Sequence, residues 1–320
     1  MNVIGGYFSL ELPLHEEYHK SAIRLNTGRN CLEYILRARN YSKVYIPYYT
    51  CDVILEPFHK IDVNYEFYHI NQDFEIADDV QLKTGEALLY TNYYGLKHRY
   101  VESLASQYGK QLIVDNTQAF YDKPVSGIDT FYTCRKFFGV PDGAYLYTDQ
   151  LLDVEFEQDE SYERMTFLLK RIDIGAEEGY ADFRRMEDGL DNQSIMIMSY
   201  LTERLMQSID YETVAIQRKE NFYNLHKFLA DSNKLHLTIE LDTVPMVYPY
   251  LTDNYSLRGK LLQSKVFVAN YWPNVLKWVA KNTFENELAC HLIPLPIDQR
   301  YSVRDMNEII ELINRNEHIR

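Results

Sequence analysis

A lysine inside an apolar, aromatic stretch is poorly placed for solvation, and Lys136 sits in one: Cys134-Arg135-Lys136-Phe137-Phe138-Gly139-Val140. Burial beside the cationic Arg135 lowers an amine pKa, which suits a lysine that must attack as a neutral nucleophile. Upstream, Asp115 follows the apolar run Gln111–Val114. That places a carboxylate at the C-terminal end of a strand, where open α/β sheets bind ligands. Earlier still, Thr27-Gly28-Arg29 opens the amphipathic run CLEYILRAR. Thr27 is a good N-cap and Gly28 lets a ligand approach the backbone. The unpaired N–H groups and dipole of such a helix start favour an anion. Each element alone also has an ordinary structural reading: a snorkelling lysine, a turn-capping aspartate, a capped helix.

Taken together, an amine, a strand-end carboxylate and an anion cradle are what pyridoxal 5'-phosphate (PLP) requires. A rival motif is His15-Glu16-Glu17-Tyr18-His19, which matches the HExxH spacing of zinc hydrolases. Its flanks are polar, it follows Pro13, and no third ligand is signalled downstream. A polar surface helix without metal is the expectation there.

The elements that must position these residues are legible as alternating runs. Candidate strands are 43–47, 63–70, 87–92, 111–115, 130–133 and 144–148, with candidate helices 29–38, 52–59 and 99–108 between them. Apolar strands alternating with helices predict an α/β domain with a mostly parallel sheet covered on both faces. A long helix is expected from about 192 to 229. After it come an apolar segment at 266–269, a strand at 291–295 and a final helix at 303–314. The expected organisation is a large cofactor-binding domain over 1–215 and a small α+β domain over 216–320.

Composition limits the alternatives. The chain has 320 residues, with 33 Lys+Arg against 47 Asp+Glu, a net charge of −14. That balance argues against nucleic-acid and anionic-membrane partners. No apolar run reaches membrane-spanning length and no signal peptide is apparent, so a cytoplasmic location is expected. Four scattered cysteines (Cys31, Cys51, Cys134, Cys290) suit reduced thiols.

The chain resembles the DegT/DnrJ/StrS family of PLP-dependent sugar aminotransferases, of the aspartate aminotransferase-like fold type I. The motifs run in order over nearly the whole chain: IGGYF, LNTGRNCLEYIL, KVYIPYYTCDVILEPF, LIVDNTQAF, TCRKFFGVPDGAYLY, FRRMEDGLDNQS and HLIPLPIDQRYSVRDMNEII. IGGYF is similar to the family's N-terminal strand, and FRRMEDG to the segment that opens its long helix. The resemblance implies Lys136 as the Schiff-base lysine and Asp115 as the partner of the pyridine nitrogen. It implies Gln118 against the ring, Thr27 with the Gly28 and Arg29 amides on phosphate, Thr133 as a further hydroxyl and Tyr49 near the ring. Phe131 stands where many members have a phosphate-binding serine, and Pro-Asp-Gly-Ala stands where Gly-Gly-Ala is usual.

By the same resemblance the reaction is a transamination from an amino acid, glutamate, to a keto group of a nucleotide-linked sugar used in polysaccharide biosynthesis. The enzyme would be a homodimer with shared active sites. A non-sugar PLP enzyme of the same fold and a catalytically degenerate sensor are the alternatives. Sugar contacts are expected from 177–185, 248–250 and 271–273. Arg135, Arg184 and Arg185 are expected to meet an anionic nucleotide against the unfavourable overall field. Many of the 28 tyrosines are expected at the dimer interface and around the sugar pocket.

Overall fold

The short apolar runs of the first half become one sheet. In this computed structural model, which describes residues 4–240 and 242–317, the strands are β1 (Ile23–Leu25), β2 (Lys43–Pro47), β3 (Asn64–Tyr68), β4 (Glu86–Thr91), β5 (Leu112–Asp115), β6 (Asp129–Thr133) and β7 (Ala144–Tyr147). Their order is β1-β7-β6-β5-β4-β2-β3. Strands β6, β5, β4, β2 and β3 run parallel, and β7 is antiparallel to both of its neighbours. Every residue of β4 and β5 is buried, as a sheet covered on both faces requires. Alternate residues supply two cores: Leu88, Tyr90, Leu112 and Val114 face one, and Ala87, Leu89 and Ile113 face the other.

Helix α1 (Gly28–Arg39) and α2 (Leu55–Ile61) cover the second of these faces through Ile35 and Phe58. Helix α3 (His98–Tyr108) covers the first through Val101 and Leu104. Beyond the sheet, α4 (Thr166–Asp173) and α5 (Ala176–Asp188) form a helical hairpin. The helix expected over 192–229 is two helices, α6 (Tyr200–Met206) and α7 (Tyr211–Leu229). Ser199 and Asp210 each accept an N–H three residues on, and these caps break the run.

Helix α7 joins the cores. Tyr211 and Val214 belong to the sheet's core, whereas Phe222, Leu225 and Leu229 belong to a second one. The second core gathers β8 (Tyr248–Leu251), α8 (Leu257–Gln263), β9 (Leu292–Leu295) and α11 (Val303–Glu317), with β8 and β9 paired antiparallel. Short helices α9 (Val275–Trp278) and α10 (Phe284–His291) connect them.

Several sequence expectations are corrected. The HExxH stretch forms turns rather than a surface helix. Glu17 and His19 are buried, and His19 packs 4.2 Å from the Tyr132 ring and 4.7 Å from Phe120. Among the described residues no group of three His, Cys, Asp or Glu side chains is placed to hold a metal ion. The segment 4–8 forms no strand, and Tyr7 and Phe8 are exposed. FRRMEDG closes α5 instead of opening a long helix. The tyrosines are core residues to a large extent: Tyr49, Tyr68, Tyr90, Tyr93, Tyr94, Tyr132 and Tyr145 are fully buried, hydroxyls included in hydrogen bonds such as Tyr68 to Leu89 O at 2.9 Å. A ring with a polar tip fills a core wherever a carbonyl lies within reach of its hydroxyl.

Candidate active site

The C-terminal ends of β2, β5 and β6 converge with the N-terminus of α1 on a cavity of about 320 Å³. Thr27 caps α1 by accepting the Asn30 N–H at 3.2 Å, which leaves the Gly28 and Arg29 amides ahead of the helix's own ladder. A Cβ at Gly28 would touch Thr117 Cγ2 at 3.4 Å, Thr133 Cβ at 3.8 Å and Phe131 Cδ2 at 3.9 Å. Glycine therefore keeps this corner open. The Arg29 side chain points elsewhere, with Nη1 2.7 Å from both Glu56 and Asp191.

Asp115 ends β5 and lines the cavity. Its Oδ1 accepts the Thr117 N–H at 2.8 Å, and its Oδ2 lies 3.4 Å from the Thr91 hydroxyl that donates to it. Those bonds hold the carboxylate while leaving acceptor capacity toward the cavity. Gln118 also lines it; its Oε1 accepts the Tyr94 N–H at 2.8 Å, so its amide nitrogen is the group that remains to donate. Thr133 is in the wall with its hydroxyl directed to Gly143 O at 3.4 Å. Tyr49 is not among the lining residues. It stands behind Trp272, edge to face at 4.7 Å, with its hydroxyl 3.2 Å from that of Tyr94.

Lys136 follows β6 in a turn that the Phe137 and Phe138 N–H groups close on Cys134 O. The sequence leads one to expect a buried lysine, but Lys136 is exposed, and it lines both the main cavity and a second one of about 200 Å³. Enclosure by protein outweighs the nearby Asp115 carboxylate, and the amine pKa falls below the usual lysine range. Its Nζ donates to Thr117 Oγ1 at 2.8 Å.

Sequence reasoning missed the residues that hold this turn. Arg218 of α7 is 1% exposed and donates to Phe137 O at 3.1 Å, Met246 O at 3.0 Å and Gln299 Oε1 at 3.0 Å. Gln299 Nε2 donates to the same Phe137 O at 2.8 Å. The available signal was an arginine at a core position of α7, in register with Val214, Phe222 and Leu225. The α4–α5 hairpin was also missed as a unit, and with it Phe167, Leu168 and Met186, which wall the cavity.

Of the expected sugar contacts, Phe183 and Trp272 line the cavity, whereas Tyr248 and Tyr250 are buried in the second core. Of the arginines expected to meet an anion, Arg135 alone lines it, and its Nη1 is 2.7 Å from Glu187. Arg184 and Arg185 pair within α5, to Asp188 and Asp182.

No family model and no curated protein sequence matches the chain. Solved structures do. A DegT DnrJ EryC1 StrS aminotransferase from Brucella abortus superposes with a TM-score of 0.63 at 14% identity, over 95% of this chain and 90% of that one. DesI, solved in the presence of its TDP-sugar product, gives 0.63 at 14% identity, over 92% and 82%. Spr1654 from Streptococcus pneumoniae in its PMP form gives 0.66 at 13% identity, over 96% and 93%. The chain has the aspartate aminotransferase-like fold. The aspartate aminotransferase-like fold is thus what brings the helix start, the strand-end carboxylate and the lysine turn to one cavity. Asp142, which precedes Gly143, has a local role in it. It is buried, and Arg164 spans it and Asp159.

Proposed function

We propose that the chain is a PLP-dependent aminotransferase that moves an amino group from an amino acid, glutamate, to a keto group of a nucleotide-linked sugar. One observation carries the reading: an amine of lowered pKa, a strand-end carboxylate and a helix N-terminus share one cavity. The residues fit the cofactor. Asp115 keeps acceptor capacity, the corner beside Gly28 is held open, and among the described residues the ionisable side chains that line the space are Asp115, Arg29, Arg135, Lys136, Glu187 and Cys51.

PLP, when bound, supplies an aldehyde that takes up nitrogen and a protonated pyridine ring that withdraws electrons. Asp115 holds the proton on the ring nitrogen. Thr27 and the Gly28 and Arg29 amides bind the phosphate, using the helix dipole. Gln118 donates from its amide nitrogen. Lys136 Nζ serves as base and acid for the proton at the donor's α-carbon, a task suited to an amine whose pKa lies nearer neutrality. Phe167, Leu168, Phe183 and Trp272 exclude water from one side.

A homodimer with shared sites belongs to this reading, and the exposed Tyr7, Phe8, Leu10 and Leu14 support it as apolar surface available to a second copy. The test is spectroscopic. Protein loaded with PLP is expected to lose its yellow band on glutamate addition and to regain it with a keto-sugar nucleotide. A colourless protein that takes up no PLP overturns the reading.

A further inference from the structure

We propose that Thr117 is a positioning residue for Lys136, holding the free amine through its hydroxyl so that the nitrogen lone pair points into the cavity. This rests on the reading of Lys136 as the cofactor-bearing lysine and assigns a role that the resemblance did not supply.

The geometry has three parts. The Lys136 Nζ–H donates to Thr117 Oγ1 at 2.8 Å. A neutral amine that donates through N–H keeps its lone pair for attack or for a proton. The Thr117 backbone N–H donates to Asp115 Oδ1 at 2.8 Å, so one residue sets the amine relative to the carboxylate. Its methyl Cγ2 is the nearest atom to the position a Cβ on Gly28 would take, at 3.4 Å. A β-branched side chain has few χ1 choices, and packing against the α1 start fixes this one. The hydroxyl direction is therefore set by the same glycine corner that forms the anion cradle.

Thr117 is 7% exposed, whereas Lys136 keeps surface toward the cavity that both residues line. The other charged or titratable groups that act on the amine are Asp115 at the end of β5, Cys51 after β2, the adjacent Arg135, and Glu187 on α5. None of them has the contact with Nζ that Thr117 has. An oxygen that accepts from nitrogen favours the ammonium over the amine, so removing it lowers the lysine pKa further.

The experiment uses cofactor-free full-length protein. An amine-selective acylating reagent labels Lys136 across a pH series, and mass spectrometry reads the peptide. Thr117→Val keeps the shape and removes the acceptor, and Thr117→Ser keeps the acceptor. The labelling midpoint of the Val variant is expected to fall by about half a pH unit or more. Its capture of added PLP, in which the amine adds to the aldehyde carbon and water leaves, should slow about tenfold, the scale of one lost hydrogen bond. Thr117→Ser keeps the acceptor but not the packed methyl, so its labelling midpoint should stay near wild type while its capture of PLP falls between wild type and the Val variant. Thr117→Ala serves in place of Val if that variant misfolds. A Val or Ala variant that titrates and captures PLP like wild type overturns the role of Thr117, as does a Ser variant that behaves like Val. The labelling arm needs no cofactor. A wild type that titrates as expected but takes up no PLP would instead overturn the enzymatic reading.

Discussion

The guanidinium of Arg218 lies over the Phe137 ring, 4.5 Å from its centroid, and donates to the carbonyl of the same residue. Phe137 follows Lys136 directly, so a helix that joins the two cores also fixes the lysine turn. Arg218 is fully buried, and burial lowers its pKa to about 10. Arg218→Ala removes the donor to Phe137, Met246 and Gln299 and leaves a cavity. A loss of about 3–5 kcal/mol in chemical denaturation is expected. Arg218→Lys should not restore it, because one ammonium cannot reproduce the planar fork or the stacking.

Gly143 has φ +98°, and a Cβ there would lie 2.7 Å from Thr202 Cγ2 and 3.1 Å from Cys134 Sγ. Gly143→Ala should cost about 1–3 kcal/mol through backbone strain and overpacking together. A melting temperature equal to wild type would contradict this.

His19 makes the protein sensitive to acid. Its Nε2 faces Phe120 O at 2.8 Å, which requires the proton on that nitrogen, and Nδ1 then accepts from the Tyr147 hydroxyl at 3.1 Å. Burial among aromatic rings lowers its pKa to about 4 from the ordinary 6.5. The unfolded chain binds the proton first, so stability is full above about pH 6.5 and falls as the pH drops toward 4. The loss is about 3 kcal/mol over that window. His19→Phe should flatten this limb in urea titrations at a series of pH values.

Glu187 neutralises Arg135 at the cavity. Glu187→Gln frees the guanidinium and should lower KM for a nucleotide-linked substrate about two- to fivefold, the range of a part-exposed ion pair. An unchanged or raised KM would show that Arg135 does not meet the nucleotide.

The convergence of Thr27, Asp115 and Lys136 on one cavity was legible because each obeys a local rule. Thr27 caps a helix, Asp115 ends an apolar strand, and Lys136 sits in an apolar turn whose sequence has no other use for a charge. The outer wall was not legible. Helix α4 buries no residue and α5 buries only Gly179 and Met186, so the apolar side chains of the hairpin face the cavity and solvent rather than the sheet's core, which their spacing alone does not reveal. His19 and Glu17 read as surface residues because their burial depends on distant partners, Phe120 and Tyr145. The tyrosines read as interface residues for the same reason, since their hydroxyl partners lie on remote segments, as Leu89 O does for Tyr68 and Tyr49 O for Tyr93. Helix α7 looked continuous with α6 because Ser199 and Asp210 caps lie inside a run of good helix formers.

The central claim is that Lys136 carries the cofactor. Protein incubated with PLP, reduced with borohydride and digested is expected to carry the added pyridoxyl mass on the peptide containing Lys136, with Lys136→Ala unlabelled and colourless. Stoichiometric label on another lysine, or none on a folded wild type, would contradict the account.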